Sequence, residues 1–362
     1  MAVALSGGVD SATAAVVLLD RGYQVIGIMM RLWAEEDAAG EEASANRCCS
    51  PEAVDDARQV CQLLGIPFYL VNYEQEFKHH VVETFVAEYC RGRTPNPCLA
   101  CNRHIKFDLL LRHALALDAQ YLATGHYARI RETDGLYQLC KGVDPIKDQS
   151  YVLYMLGQEE LRHLLFPLGD YTKSQVRAIA RQRALPVAER EESQDLCFVR
   201  DNDYRRFLRQ HAPDAIQPGP ILDSAGRVLG EHKGLPFYTI GQRSGMGISA
   251  PEALYVLEID PARNALIVGP ASELGRSELI AEEVSYVSGH APPAPLQVTA
   301  KIRRQARLAR ATLTPLDESQ AQLVFTHPLR DITPGQGVVF YQGDVVLGGG
   351  IIASTPVSVI CV

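Results

Sequence analysis

A chain of 362 residues that is 47% hydrophobic and 22% charged, with a formal net charge of −8, has the composition of a globular protein of two or three domains. No apolar run approaches the about 20 residues that span a bilayer, and the first residues lack a basic-plus-apolar export pattern, so neither membrane nor export is expected. Nine cysteines then point to a reducing, cytoplasmic setting, where catalytic or metal roles outrank structural disulfides; the acidic balance excludes indiscriminate nucleic-acid binding but leaves room for a local basic surface.

The chain opens with a short apolar strand over 2–5, which runs into Ser6-Gly7-Gly8-Val9-Asp10-Ser11 and an Ala/Val/Leu-rich helix over 11–21. Further strands are predicted at 24–30, 67–71 and 121–130, with helices near 52–64, 74–91 and 105–117. The second helix is well punctuated: Ser50 as N-cap, Pro51 at its first position and Gly65 at its end. Such alternation predicts an α/β domain with a parallel sheet covered on both faces. The acidic stretch 34–46 reads as a flexible surface loop, and helical periodicity returns over 175–186.

After about residue 200 the chain becomes rich in Gly and Pro, with short β-like runs. A weaker break falls near 271–283; alternating strands follow, with turns expected at Gly343-Asp344 and at Gly348-Gly349-Gly350. The organisation predicted is an α/β domain over 1–200, a small β-rich connecting domain over 201–275 and a C-terminal β-barrel over 276–362.

The glycine-rich loop lacks the Gly-Lys-Ser/Thr of a Walker loop and the G-x-G-x-x-G of a dinucleotide site. It offers backbone N–H groups of Gly7, Gly8 and Val9 and the hydroxyls of Ser6 and Ser11 at a helix N-terminus, which suits a pyrophosphate group. Asp10 repels phosphate directly, so its role is expected through a cation such as Mg²⁺. A bare Ser-Gly-Gly would be read as a tight turn; the full S-G-G-x-D-S between strand and helix favours nucleotide binding.

Within "GRTPNPCLACNRHIKFD" (92–108), Cys98 and Cys101 form a C-x-x-C placed between two helices. As half a zinc site it needs more ligands, with Cys48, Cys49 and His104 available but no second C-x-x-C. A redox pair lacks the usual βαβ setting. As a reactive thiol, either cysteine has Arg91, Arg93, Arg103, His104 and Lys106 nearby to favour thiolate. Cys197 in "ESQDLCFV" alone would be a core residue; beside Cys101 it completes a pair suited to sulfur transfer, which needs a carrier thiol and a resolving thiol. "KIRRQARLARA" gathers Lys301, Arg303, Arg304, Arg307 and Arg310 without an acid, either a solvated strand face or a phosphate-binding surface; Arg177, Arg181 and Arg183 form a second basic patch.

The S-G-G-x-D-S loop resembles that of the PP-loop ATPases, which grip the β- and γ-phosphates of ATP while the substrate attacks the α-phosphate. With "TPNPCLACN", "ATGHYAR", "KDQSY" and "ESQDLCF" in that order, the chain is similar over essentially its whole length to the tRNA 2-thiouridylases of that group. The resemblance implies ATP-dependent thiolation of the wobble uridine at position 2 in tRNA-Lys, tRNA-Glu and tRNA-Gln. Sulfur would come from a persulfide-bearing donor protein, a cysteine desulfurase or a relay. It implies an ATP loop of Ala4, Leu5, Ser6, Gly7, Gly8, Val9, Asp10 and Ser11, adenosine contacts at Met30 and Gly125, Cys101 as nucleophile and Cys197 as persulfide carrier, the two joined by a transient disulfide. It also implies tRNA contacts at Asn96, Pro97 and Cys98, at Lys147, Asp148 and Gln149, and at Arg303 and Arg304. Some members carry Asp where Cys98 stands, and the tyrosine that many carry after the first arginine is Arg304 here, so stacking on a base falls to arginine. The rival expectations are another PP-loop adenylating enzyme acting on RNA, or a non-catalytic metal-bearing RNA-binding protein.

Overall fold

The computed structural model describes residues 1–35, 50–190 and 196–353; most of the acidic stretch, with Cys48 and Cys49, lies outside them. Five parallel strands form the first sheet in the order β3 (Phe68–Asn72), β2 (Ile26–Arg31), β1 (Ala2–Leu5), β4 (Leu122–Ala123), β7 (Leu164–Leu165). All four residues of β1 are buried, and alternate side chains enter two different cores. Ala2 and Ala4 join Ile28, Phe77, Val81 and Ile105 on one face, whereas Val3 and Leu5 join Leu18, Ala57 and Cys61 on the other. The helix Val9–Asp20 is buried from Val9 to Leu18 apart from Asp10, and its small residues let it lie close against the sheet.

Two helices, over 74–90 and 97–116, cover the first of these faces; each widens into π-helical turns, at Lys78–Glu83 and at Cys101–Leu110. The second of them starts at Pro97 rather than near Ile105. The Asn96 side chain accepts the Cys98 N–H at 3.1 Å and Pro97 supplies the first helical residue, so the C-x-x-C lies inside the helix.

The strand expected over 121–130 is two strands in two sheets. After β4 the chain leaves the parallel sheet, and β5 (Ala128–Thr133) pairs with β6 (Leu136–Lys141) in a hairpin that joins the C-terminal sheet at Cys140↔Val345. Between the two strands Gly125 passes close over the first loop, where an added Cβ would lie 2.9 Å from the backbone of Asp10 and Ser11.

A four-stranded sheet follows in the order β10 (Leu254–Asp260), β11 (Ala265–Pro270), β8 (Gly219–Asp223), β9 (Val228–His232). Then β12 (Arg276–Tyr286), β15 (Ala321–Leu329), β14 (Ala309–Pro315), β13 (Leu296–Lys301), β16 (Gly337–Gln342) and β17 (Val345–Ile352) close into a six-stranded barrel through β12–β17 pairing, around Leu279, Leu313, Leu323 and Phe340. Gly343-Asp344 turns between β16 and β17 as expected. Gly348-Gly349-Gly350 does not turn: it lies within β17, where a Cβ on Gly349 would meet the Val338 carbonyl at 2.5 Å. Among the described residues no helix is long and apolar enough to cross a membrane.

Candidate functional site

The loop after β1 is built by its own residues. Gly7 adopts a left-handed φ of +67°, and a Cβ there would strike the Ala53 carbonyl at 2.6 Å, so only glycine lets the loop lie on the helix Pro51–Leu64. Ser11 Oγ accepts the Ser6 N–H at 3.1 Å and donates to the Gly8 carbonyl at 3.1 Å, bracing the turn from inside. The next helix is capped by Gly8, which has no side chain to satisfy its first-turn N–H groups. Such groups, at the positive end of a helix dipole, fit the phosphates of ATP. Gly125 presses on the loop from β4, and Met30 stands one residue beyond the Leu5↔Met29 pair on β2. Ala4–Ser11, Met30 and Gly125 thus meet at the carboxyl end of the parallel strands, where α/β proteins bind ligands.

Lys173, Tyr127 and Arg190 complete this loop and were missed in the sequence. Lys173 Nζ lies 2.7 and 2.8 Å from the two carboxylate oxygens of Asp10, and the Tyr127 hydroxyl donates to the same carboxylate at 2.8 Å. Arg190 donates to the Gly7 carbonyl at 3.0 Å and pairs with Asp56. One signal was available: Thr172 and Gln175 form a capping box, which places Lys173 in the first turn of the helix Lys173–Gln182. Its partner, 163 residues away, was not legible.

Cys98 is exposed and Cys101 buried, both in the first turns of the helix that begins at Pro97. Three of the expected activating cations are held by carboxylates: Arg91 by Glu88, Arg93 by Glu88 and Glu282, and Arg103 by Glu283. His104 stacks on His80 with ring centroids 4.7 Å apart, and burial pushes its pKa down, which favours the neutral ring. Proximity to the helix N-terminus is one influence on these thiols that the fold supplies. Cys197 is half-buried against the same hydrophobic cluster that contains Cys101. Its neighbour Phe198 is locked among Phe77, Phe85 and Phe207 at 6.0, 5.2 and 5.6 Å. Among the described residues no two cysteines form a disulfide. Burial pushes the Cys61 thiol up to about 11 and also raises Cys90 and Cys140, which marks these three as poor nucleophiles at neutral pH. Among the described residues no three His, Cys, Asp or Glu side chains are placed to share a metal ion.

The turn at 144–149 meets the basic segment of the barrel. A cleft of about 300 Å³ is lined by Pro145, Ile146 and Asp148 on one side and by Lys301, Arg304 and Gln305 on the other. Asp148 points inward, accepting from Gly142 and Ser150 and lying 3.8 Å from Lys301, while Gln149 accepts the Tyr127 N–H at 3.0 Å. Both residues shape the turn, and Lys147 is the cation on it. Arg303, Arg304, Arg307 and Arg310 are exposed, with Arg303 2.7 Å from Asp331. The second basic patch is engaged internally: Arg177 donates to the Ala188 and Arg190 carbonyls, Arg181 pairs with Glu189 and Arg183 with Asp20.

Three family models match the chain in order: a tRNA methyl transferase HUP domain over residues 1–201, a tRNA methyl transferase PRC-barrel domain over 205–270 and an aminomethyltransferase beta-barrel domain over 276–352. A tRNA-specific 2-thiouridylase of Roseiflexus castenholzii is 51% identical over 97% of this chain and 98% of its own length. Its counterpart in Moorella thermoacetica is 51% identical over 97% and 99%, and that of Clostridium perfringens 46% identical over 97% and 98%. The chain belongs to the tRNA-specific 2-thiouridylase family. In this chain the loop, both cysteines and the 144–149 turn come from the first matched region, and the basic segment from the third.

Proposed function

We propose that this protein is a sulfurtransferase that thiolates the wobble uridine of tRNA-Lys, tRNA-Glu and tRNA-Gln at position 2 in the cytoplasm, converting ATP to AMP and pyrophosphate. The observation that carries the reading is the presence together, in a chain of this family, of an uncapped glycine-rich helix N-terminus at the carboxyl end of the parallel strands and of Cys101 and Cys197 packed on one core. The triphosphate binds the N–H groups of Gly7, Gly8 and Val9, with the adenosine toward Met30 and Gly125. Asp10 fits a Mg²⁺ ion, since its carboxylate is partly exposed at the loop and already holds a cation; Mg²⁺ there supplies charge neutralisation for the departing pyrophosphate.

The uridine, flipped from the stack, is held near Asn96, Pro97 and Cys98. Its 2-oxygen attacks the α-phosphorus, pyrophosphate leaves, and the 2-carbon becomes susceptible to a sulfur nucleophile. Cys197, loaded with sulfane sulfur by a persulfide-bearing donor protein, attacks that carbon through its terminal sulfur, and AMP departs. Cys101 thiolate then attacks the Cys197 sulfur, freeing the 2-thiouridine and leaving a Cys101–Cys197 disulfide that an external dithiol reduces. The two cysteines stand 96 positions apart in the sequence, and a rearrangement of the chain brings the thiols together for this step. Lys147, Arg303 and Arg304 hold the tRNA backbone.

The test is pyrophosphate release and thiolation of an unmodified tRNA-Glu transcript with ATP, Mg²⁺ and a persulfide donor. Both are expected in the wild type, and Asp10→Ala should abolish both. Pyrophosphate release that persists in Asp10→Ala would contradict the placement of ATP on this loop.

A further inference from the structure

The turn that meets the basic cleft and the loop that holds phosphate are joined by two short arms. Asp144 begins the first. Its carboxylate is buried; Oδ1 accepts the N–H groups of Ile146 and Lys147 at 3.0 and 3.1 Å, and Oδ2 accepts the N–H of Lys173 at 2.9 Å. The Asp144 carbonyl closes the same turn by accepting the Asp148 N–H at 2.8 Å. One carboxyl group thus clamps the turn to the N-terminus of the helix whose Lys173 caps Asp10. The second arm starts at the other end of the turn. Gln149 exchanges two hydrogen bonds with the backbone of Tyr127, at 2.9 and 3.0 Å, and the Tyr127 hydroxyl donates to Asp10. Both ends of the turn therefore reach one carboxylate of the ATP loop.

We propose that Asp144 is a positioning residue through which tRNA docking on the 144–149 turn and ATP binding on the 4–11 loop strengthen each other. The inference rests on the functional reading above, which places the two ligands at those sites. The sign follows from shared parts: a ligand that fixes the turn also fixes Lys173 and Tyr127 around Asp10, so the second ligand orders less of the protein on binding. The coupling is reciprocal, so tRNA must tighten ATP by the same factor as ATP tightens tRNA.

Asp144→Asn cuts the first arm selectively. The amide oxygen can still accept from Ile146 and Lys147, while the amide nitrogen, itself a donor, can no longer accept from the Lys173 N–H. The experiment is calorimetric titration of a non-hydrolysable ATP analogue into the full-length protein, with and without unmodified tRNA-Glu. In the wild type, tRNA should tighten the analogue about fivefold or more; in D144N that ratio should fall to below about twofold, with each ligand alone bound nearly as before. A merely structural role would weaken both single-ligand affinities and leave the ratio intact, which would overturn the proposal. A wild-type ratio of one with both ligands bound would overturn it too and leave the functional reading standing. Failure of the wild type to bind either ligand would bring down both. Should D144N not fold, the same ratio is read in Asp144→Ser, whose hydroxyl can still accept from the turn but cannot also reach the Lys173 N–H; an unchanged ratio there overturns the proposal.

Discussion

Asp10 brings a negative charge to a loop suited to phosphate, and Lys173 offsets it at 2.7 Å from a helix far along the chain. A charge-assisted hydrogen bond of this kind contributes about 1.5–3 kcal/mol. Lys173→Met removes the cationic side chain that holds Asp10 and should weaken the ATP analogue by about tenfold or more, since each 1.4 kcal/mol is a factor of ten. Unchanged affinity would remove the pair from the ATP site. Thiol accessibility makes a second prediction at this scale. Limited labelling with a maleimide at neutral pH should modify exposed Cys98 well before Cys61, which is buried and raised to about 11 and should stay unmodified in the folded protein; mass spectrometry of the digest reads the order of the two. Early labelling of Cys61 would contradict its burial. Ser6–Ser11 was legible as a tight glycine loop between strand and helix, whereas Lys173, Tyr127 and Arg190 were invisible because each reaches the loop across 117 to 183 residues.

Helix boundaries were legible where caps were read and lost where they were not. Ser50, Pro51 and Gly65 mark their helix as expected, with Gly65 in the left-handed conformation at its end. Asn96-Pro97 carries the same kind of signal, and overlooking it placed the C-x-x-C outside the helix that presents it. The element after Cys197 supplies a pH-dependent contact. Helix Tyr204–His211 is capped by Asp203, and Arg206 at its start reaches Glu35 at 2.6 Å and Asp201 at 2.8 Å, tying the end of the β2 segment to the stretch that follows Cys197. The Arg206 hydrogen bond holds the Asp201 carboxyl at about 2, below its ordinary 3.8. A carboxylate with a depressed folded pKa stabilises the fold above its unfolded value and loses that contribution as pH falls through the folded one. Wild type should therefore exceed Arg206→Met in urea stability at about pH 5, and the gap should narrow below about pH 4 as Asp201 protonates. A gap that stays constant over that range would contradict the assignment.

At the scale of the whole molecule, three regions in order were legible from the change in texture near residue 200 and the alternating strands at the end. The exchange between them was not. After Gly125 passes over the loop, the β5–β6 hairpin leaves the parallel sheet and extends the C-terminal sheet through Cys140↔Val345. That detour carries the 144–149 turn to the basic edge of the barrel, so the cleft between Ile146 and Arg304 unites residues 158 positions apart in the chain. No local pattern encodes such a meeting; it depends on sheet register. The central claim is that sulfur reaches tRNA from Cys197. It is tested most directly by loading the protein with heavy-isotope persulfide, locating the label by mass spectrometry, and adding ATP and unmodified tRNA-Glu for a single turnover. The account predicts label on Cys197 that moves stoichiometrically into 2-thiouridine, with a Cys101–Cys197 disulfide left behind; label that stays on the protein, or thiolation that proceeds in Cys197→Ala, would contradict it.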